Sequence, residues 1–192
     1  SGIGVIGKKI LNNLDKIHNF FKEYRIEVNH VVAIGDFEAL SEQIRQKINC
    51  SEKDFLKKLK LSQKELKNST TIKIKTPMFT DLCGGLDEWV KINNRNLKKL
   101  RKKQFVNTGL TYKKIMKIAL TRKELYQRWF KNFDEKNIEE IIYAQGAEYA
   151  AMGEIIKKKF KNPLLIGADH SRMGIFYKLS SSFPVIYIEN KY

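Results

Sequence analysis

Cysteine is scarce in this chain: Cys50 and Cys83 are the only two, and neither belongs to a CxxC or clusters with the three histidines. That argues against a disulfide scaffold or a zinc site and fits a reducing compartment. Long apolar runs are missing too. No stretch approaches the roughly 18 residues needed to span a bilayer, and no signal-peptide pattern is present, so the expected location is the cytoplasm, without a membrane partner. The chain starts at Ser1 without a methionine, which points to an N-terminal piece cleaved or left out. Acidic residues are few: 21 Asp plus Glu stand against 37 Lys plus Arg, for a net charge of +16 and a pI near 9.7. Such an excess points to a polyanionic partner, with tRNA or another RNA the expected one. Lys, Ile and Asn are abundant together, so composition contributes to the excess and the distribution of charge matters more than its sum.

At 192 residues the chain suits one domain, 1–192, large enough to bury a real core. Ile3 to Gly7 reads as a short strand, followed by an amphipathic helix from about 8 to 24 with Ile10, Leu14, Ile17 and Phe21 on one face. A second strand covers 30–35. Helices are expected at 39–48 and from Ser51, where Ser51-Glu-Lys-Asp54 has the look of a capping box. Residues 70–75 alternate isoleucine with lysine, as a half-buried strand does, and Pro77 ends the run. From Thr80 the pattern is helical, broken at Gly84-Gly85, around Gly109 and around 132–134. The last helix, 135–160, carries Ala144, Gly146, Ala147, Ala150, Ala151 and Gly153 in its middle, so something must approach that backbone closely. A strand at 184–188 closes the chain. Four or five short strands separated by helices predict a three-layer α/β sandwich with a mostly parallel sheet, carrying a basic helical insertion at about 86–131.

Two apolar runs end alike, at Gly35-Asp36-Phe-Glu38 and at Gly167-Ala-Asp169-His170-Ser-Arg172. Strand ends of this kind deliver polar groups to the carboxyl edge of a parallel sheet, where ligands bind. Asp36, Glu38, Asp169 and His170 are therefore candidate acids and bases, and Arg172 a candidate anion-binding group. An aspartate after a strand also serves as a turn residue or helix cap. On the last helix Gln145, Glu148, Tyr149 and Met152 share one stripe, and Arg122 and Tyr126 form an i, i+4 pair. These add Glu148 and Tyr149 to the catalytic candidates, and Gln145, Arg122 and Tyr126 to the substrate-binding ones. His18 and His30 read as a surface and a core residue. Gly2, Gly4 and Gly7 fit G-x-G-x-x-G, but no strand precedes them. Cys83 has no identifiable histidine partner.

Between Lys91 and Lys131 lie fourteen basic residues and one acidic residue, Glu124. Lys98, Lys99, Arg101, Lys102 and Lys103 are close enough in sequence to wrap around a helix, with Tyr112, Tyr126, Trp129 and Phe130 following. Cations neutralise phosphates and aromatic rings stack on unpaired bases, so 98–103 is the candidate RNA contact.

Ile166-Gly-Ala-Asp169-His170-Ser-Arg-Met resembles the G-x-D-Q loop of tyrosyl- and tryptophanyl-tRNA synthetases, with His170 in place of glutamine. No HIGH or KMSKS signature accompanies it. The layout is similar to cyclodipeptide synthases, which share that Rossmann-like fold, use no ATP and take aminoacyl groups from charged tRNAs. The resemblance implies a tRNA-dependent transferase without metal or cofactor. The family's serine position holds Gly7-Lys8 here, and its Tyr-x-x-x-Glu pair is unmatched, Tyr177 being followed by Ser181, so no catalytic residue carries over. The alternatives are a noncatalytic RNA-binding module, in which the strand-end acids cap helices, and a nucleotide- or dinucleotide-binding enzyme.

Overall fold

The computed structural model describes residues 5–36, 49–105, 109–129, 134–167, 173–179 and 185–187. The expected three-layer sandwich is not what forms. The protein is mostly helical, with six α-helices among the described residues. Its strands are two or three residues long and fall in two separate parallel pairs. Contacts gather into two compact units, Ser1–Leu82 and Cys83–Tyr192.

In the first unit, α1 spans Val5–Glu23 and α2 Glu52–Asn68. The expected strand at 3–7 is overturned at 5–7, which begin α1. Its apolar residues suit either reading, because Ile6 stands one helical turn before Ile10 and in register with Leu14, and the three apolar residues of 3–7 cannot decide between the two periods. β1, His30–Val31, pairs in parallel with β2, Ile74–Lys75, and an Ile34 to Met78 bridge extends the match. Leu14, Ile34, Leu66 and Ile74 bury together to tie helices to strands. Ser51 opens α2 by accepting the Asp54 N–H at 3.1 Å, as its capping pattern predicts. The helix expected at 39–48 lies outside the described residues.

The second unit holds α4, Leu86–Arg101; α5, Tyr112–Trp129; and α6, Ile138–Lys159, with the short α3, Phe79–Cys83, at the boundary. Leu100, Ile115, Tyr126, Ile142 and Phe176 are fully buried together. The core is thus helix on helix, and the basic 86–131 region supplies half of it and is not an insertion on a sheet. β3, Leu165–Gly167, and β4, Val185–Tyr187, pair in parallel, and a 3-10 segment, Met173–Leu179, crosses between them in sequence.

That segment accounts for Gly146 of α6. A Cβ on Gly146 would sit 2.6 Å from the Phe176 ring, so only glycine lets the ring lie on the helix. The close approach predicted for the 144–153 stretch exists at Gly146, where Phe176 makes it.

Both α1 and α4 end in Schellman turns whose left-handed residue is a cation. Arg25 (φ 56°) and Lys103 (φ 52°) occupy the position that glycine usually takes. In α4, Gln104 N–H reaches the Lys99 carbonyl and Lys103 N–H the Leu100 carbonyl, both at 2.9 Å. Among the described residues no helix is long and apolar enough to cross a membrane.

Candidate nucleic-acid interface

α4 is amphipathic in an extreme form. Trp89, Ile92, Asn96 and Leu100 are buried on one side. Residues 91, 94, 98 and 102 recur at helical spacing on the opposite side, with 95 and 99 on its flank, and together they line an open cavity of about 550 Å³. Its cations are Lys91, Arg95, Lys98, Lys99 and Lys102, with Asn94 and Gln104 supplying carboxamides. The helix begins at Gly84-Gly85, whose φ values of 96° and 110° suit glycine, and Asp87 and Glu88 complement the positive end of its dipole. Its last turn concentrates Lys98, Lys99 and Arg101, where the dipole favours cations.

Two ion pairs clamp α4 antiparallel on α6. Arg95 pairs with Glu154, and Arg101 with Glu140 at 2.8 Å. Lys91 lies 3.7 Å from Glu88, one turn before it. All of these pairs are partly exposed, worth about 0–1 kcal/mol each, so the cations remain available to a stronger anion.

The five cations expected to act together thus divide. Lys98, Lys99 and Lys102 face the groove, whereas Arg101 turns to Glu140. Lys103 holds its ammonium 4.3 Å above the Tyr112 ring. Arg95 and Lys91, one and two turns before Lys98, join the groove in their place. Consecutive numbering grouped the first set, and the 3.6-residue period selects the second.

The substrate-binding candidates are brought together inside the second unit. Tyr126 is fully buried, and its hydroxyl donates to Gln145 Oε1 at 2.6 Å across α5 and α6. The Arg122 guanidinium lies 5.3 Å from the Tyr126 ring centre, and its Nε is buried without a hydrogen-bond partner. Burial pushes the Tyr126 phenol up to about 12 against the opposing pull of Arg122, so it stays neutral at ordinary pH. Glu148 and Tyr149 are half-buried on the same helix as Gln145, with the Tyr149 ring 5.2 Å from that of Tyr177. This is a polar seam within a helical core.

The strand-end candidates fare differently. Asp36 is buried, and both of its oxygens accept from Thr80, Oδ1 from the N–H at 3.0 Å and Oδ2 from the hydroxyl. It caps the first turn of α3, 44 residues along the chain. Glu38, Asp169, His170 and Arg172 lie outside the described residues. Among the described residues, the strands leading to the two carboxylate motifs belong to separate pairs.

One pairing had no sequence signal. His18 Nδ1 and His30 Nε2 meet at 3.0 Å between α1 and β1. Twelve residues separate them, and neither helical nor strand periodicity links positions on different elements. Partial burial and the neighbouring His18 lower the His30 pKa below its ordinary 6.5. Among the described residues no group of three or more His, Cys, Asp or Glu side chains forms a metal-binding cluster.

Comparison with known proteins found no match to this chain among family models, curated proteins or solved structures.

Proposed function

We propose that this protein is a noncatalytic RNA-binding module that grips the phosphate backbone with the outer face of α4. One observation carries the reading: five cations of α4 line one open groove of about 550 Å³, Lys91, Lys98 and Lys102 opposite the buried face and Arg95 and Lys99 on its flank. A cationic groove on a rigid helix neutralises phosphates without rearrangement, and release of condensed counterions drives the association. The net charge of +16 adds long-range attraction. A tRNA-dependent transferase would need an acid–base centre, for which Asp36, Glu38, Asp169, His170, Glu148 and Tyr149 are the candidates, and Glu38, Asp169 and His170 lie outside the described residues. Asp36 instead serves Thr80.

The test is the salt dependence of RNA affinity. Replacing Lys91, Lys98 and Lys102 together by alanine is expected to flatten the log–log slope by about 2–3, at roughly 0.7–0.9 per phosphate contact. An unchanged slope, with the fold intact by circular dichroism, overturns the assignment.

A further inference from the structure

The composition and setting of the groove point to a particular form of ligand. Resting on the RNA-binding reading above, we infer that α4 selects double-stranded RNA, holding phosphates and ribose hydroxyls and leaving the bases unread.

Rings are the first consideration. Sites for single strands combine cations with exposed aromatic platforms on which bases stack. Among the described residues, none that lines the groove is aromatic. The tyrosines of the basic region are committed elsewhere: Tyr126 is fully buried on Gln145, and Tyr112 carries Lys103 over its ring and donates its hydroxyl to Glu139 at 3.1 Å. An unpaired base therefore finds charge along α4 and, among the described residues lining the groove, no ring to stack on.

The embedding of the helix is the second. An α-helix with its side chains is about 10–12 Å across and would have to enter a DNA major groove about 12 Å wide to read base edges. With Trp89, Ile92 and Leu100 locked in the core, α4 offers only its outer half. Such a surface lies along backbones, and the wide, shallow minor groove of A-form RNA presents its hydroxyls to surfaces of that kind. From Lys91 to Lys102 the stripe runs about 17 Å at 1.5 Å per residue, a length over which a duplex carries about ten phosphates, roughly half on the near side. Five cations match that near side.

Asn94 and Gln104 are the third. Both are exposed, uncharged and set among the cations. A carboxamide neutralises no phosphate, but it donates and accepts, as contact with a 2′-hydroxyl requires.

The experiment uses the whole chain and three probes: an RNA duplex, the DNA duplex of the same sequence and one of the two RNA strands, followed by anisotropy over a series of salt concentrations. The RNA duplex is expected to bind tightest, with a slope between about −3.6 and −4.5 for four to five contacts. Asn94→Ala with Gln104→Ala is expected to narrow the preference for RNA over DNA and to leave that slope in place. Single-strand binding equal to or tighter than duplex binding overturns the duplex assignment while sparing the RNA-binding reading. Equal affinity for the RNA and DNA duplexes overturns the ribose contacts. Failure of all three probes to bind removes the RNA-binding reading itself, and this inference with it.

Discussion

α4 and α6 lie against each other and divide the labour of the second unit. α4 buries one face and turns a row of cations outward, while α6 is buried around most of its circumference, with Gly146, Ala147, Ala150 and Ala151 packed inside. Binding chemistry needs a helix only half committed to the core, and scaffolding needs one whose side chains are small enough for neighbours to close in. Substitutions on the two helices should therefore read out in different assays.

The sharpest break comes at the Phe176–Gly146 contact. Phe176→Ala is expected to cost about 3–5 kcal/mol in denaturant unfolding, from lost burial and the cavity left behind. Gly146→Ala drives a methyl into the ring and should cost about 1–3 kcal/mol as overpacking. In the double variant the methyl meets empty space, so the two costs should sum to less than their separate values, and strict additivity would disprove the contact.

On α4 the outcome inverts. The Lys91, Lys98 and Lys102 alanine variant should lose on the order of 100-fold in RNA affinity at physiological salt while unfolding at nearly the wild-type denaturant concentration. A matched loss of stability would mean that the groove face also carries structure.

A finer cut separates neighbours in sequence. Arg101→Ala and Lys103→Gly remove two of the cations at 98–103, yet neither lines the groove. Less than about a twofold change in the affinity of each is expected, well under the effect of a single lost groove contact. Lys103→Gly relieves a left-handed residue, a gain of about 1 kcal/mol that the lost cation–π contact with Tyr112 partly offsets. A large affinity loss in either variant would restore the contiguous cluster as the interface.

The smallest effect belongs to the first unit. His30 binds its proton less readily when folded, so the unfolded chain takes up more protons as pH falls below about 6.5. Stability is therefore complete above that value and declines with acidification towards the lowered folded pKa. Asp15 and Lys22, one turn either side of His18, are exposed and screened. The thermal midpoint should fall from neutral pH to about pH 5, and His30→Gln should shallow that fall. An identical profile in the variant would free the His18–His30 pair of any part in it.

Local signals in the sequence held where the structure itself is local. The Ser51 cap and the Gly84-Gly85 break each depend on neighbours within a few residues, whereas the strand expected at 70–75 forms only at Ile74–Lys75. The small-residue stretch announced a close approach, but its partner, Phe176, lies thirty positions on and left no trace in the spacing. Asp36 likewise looked like a pocket edge until Thr80 was found on it. Short apolar runs serve helices and strands equally well, so the pattern predicts a sandwich where, among the described residues, each strand pairs with only one other. The site was half legible: the charge was plain, but its grouping by adjacency hid Lys91 and Arg95 and overstated Arg101 and Lys103.

The Schellman turn after α4 also sets how much ligand one molecule can cover. By folding the chain back at Lys103 it puts Gln104 at the end of the groove and halts the cationic row at Lys102. On the duplex proposal the footprint is a short fixed length, about ten duplex charges. Longer duplexes should accordingly take up more copies of the protein in proportion to their length, with stoichiometry, not affinity per site, as the quantity that grows.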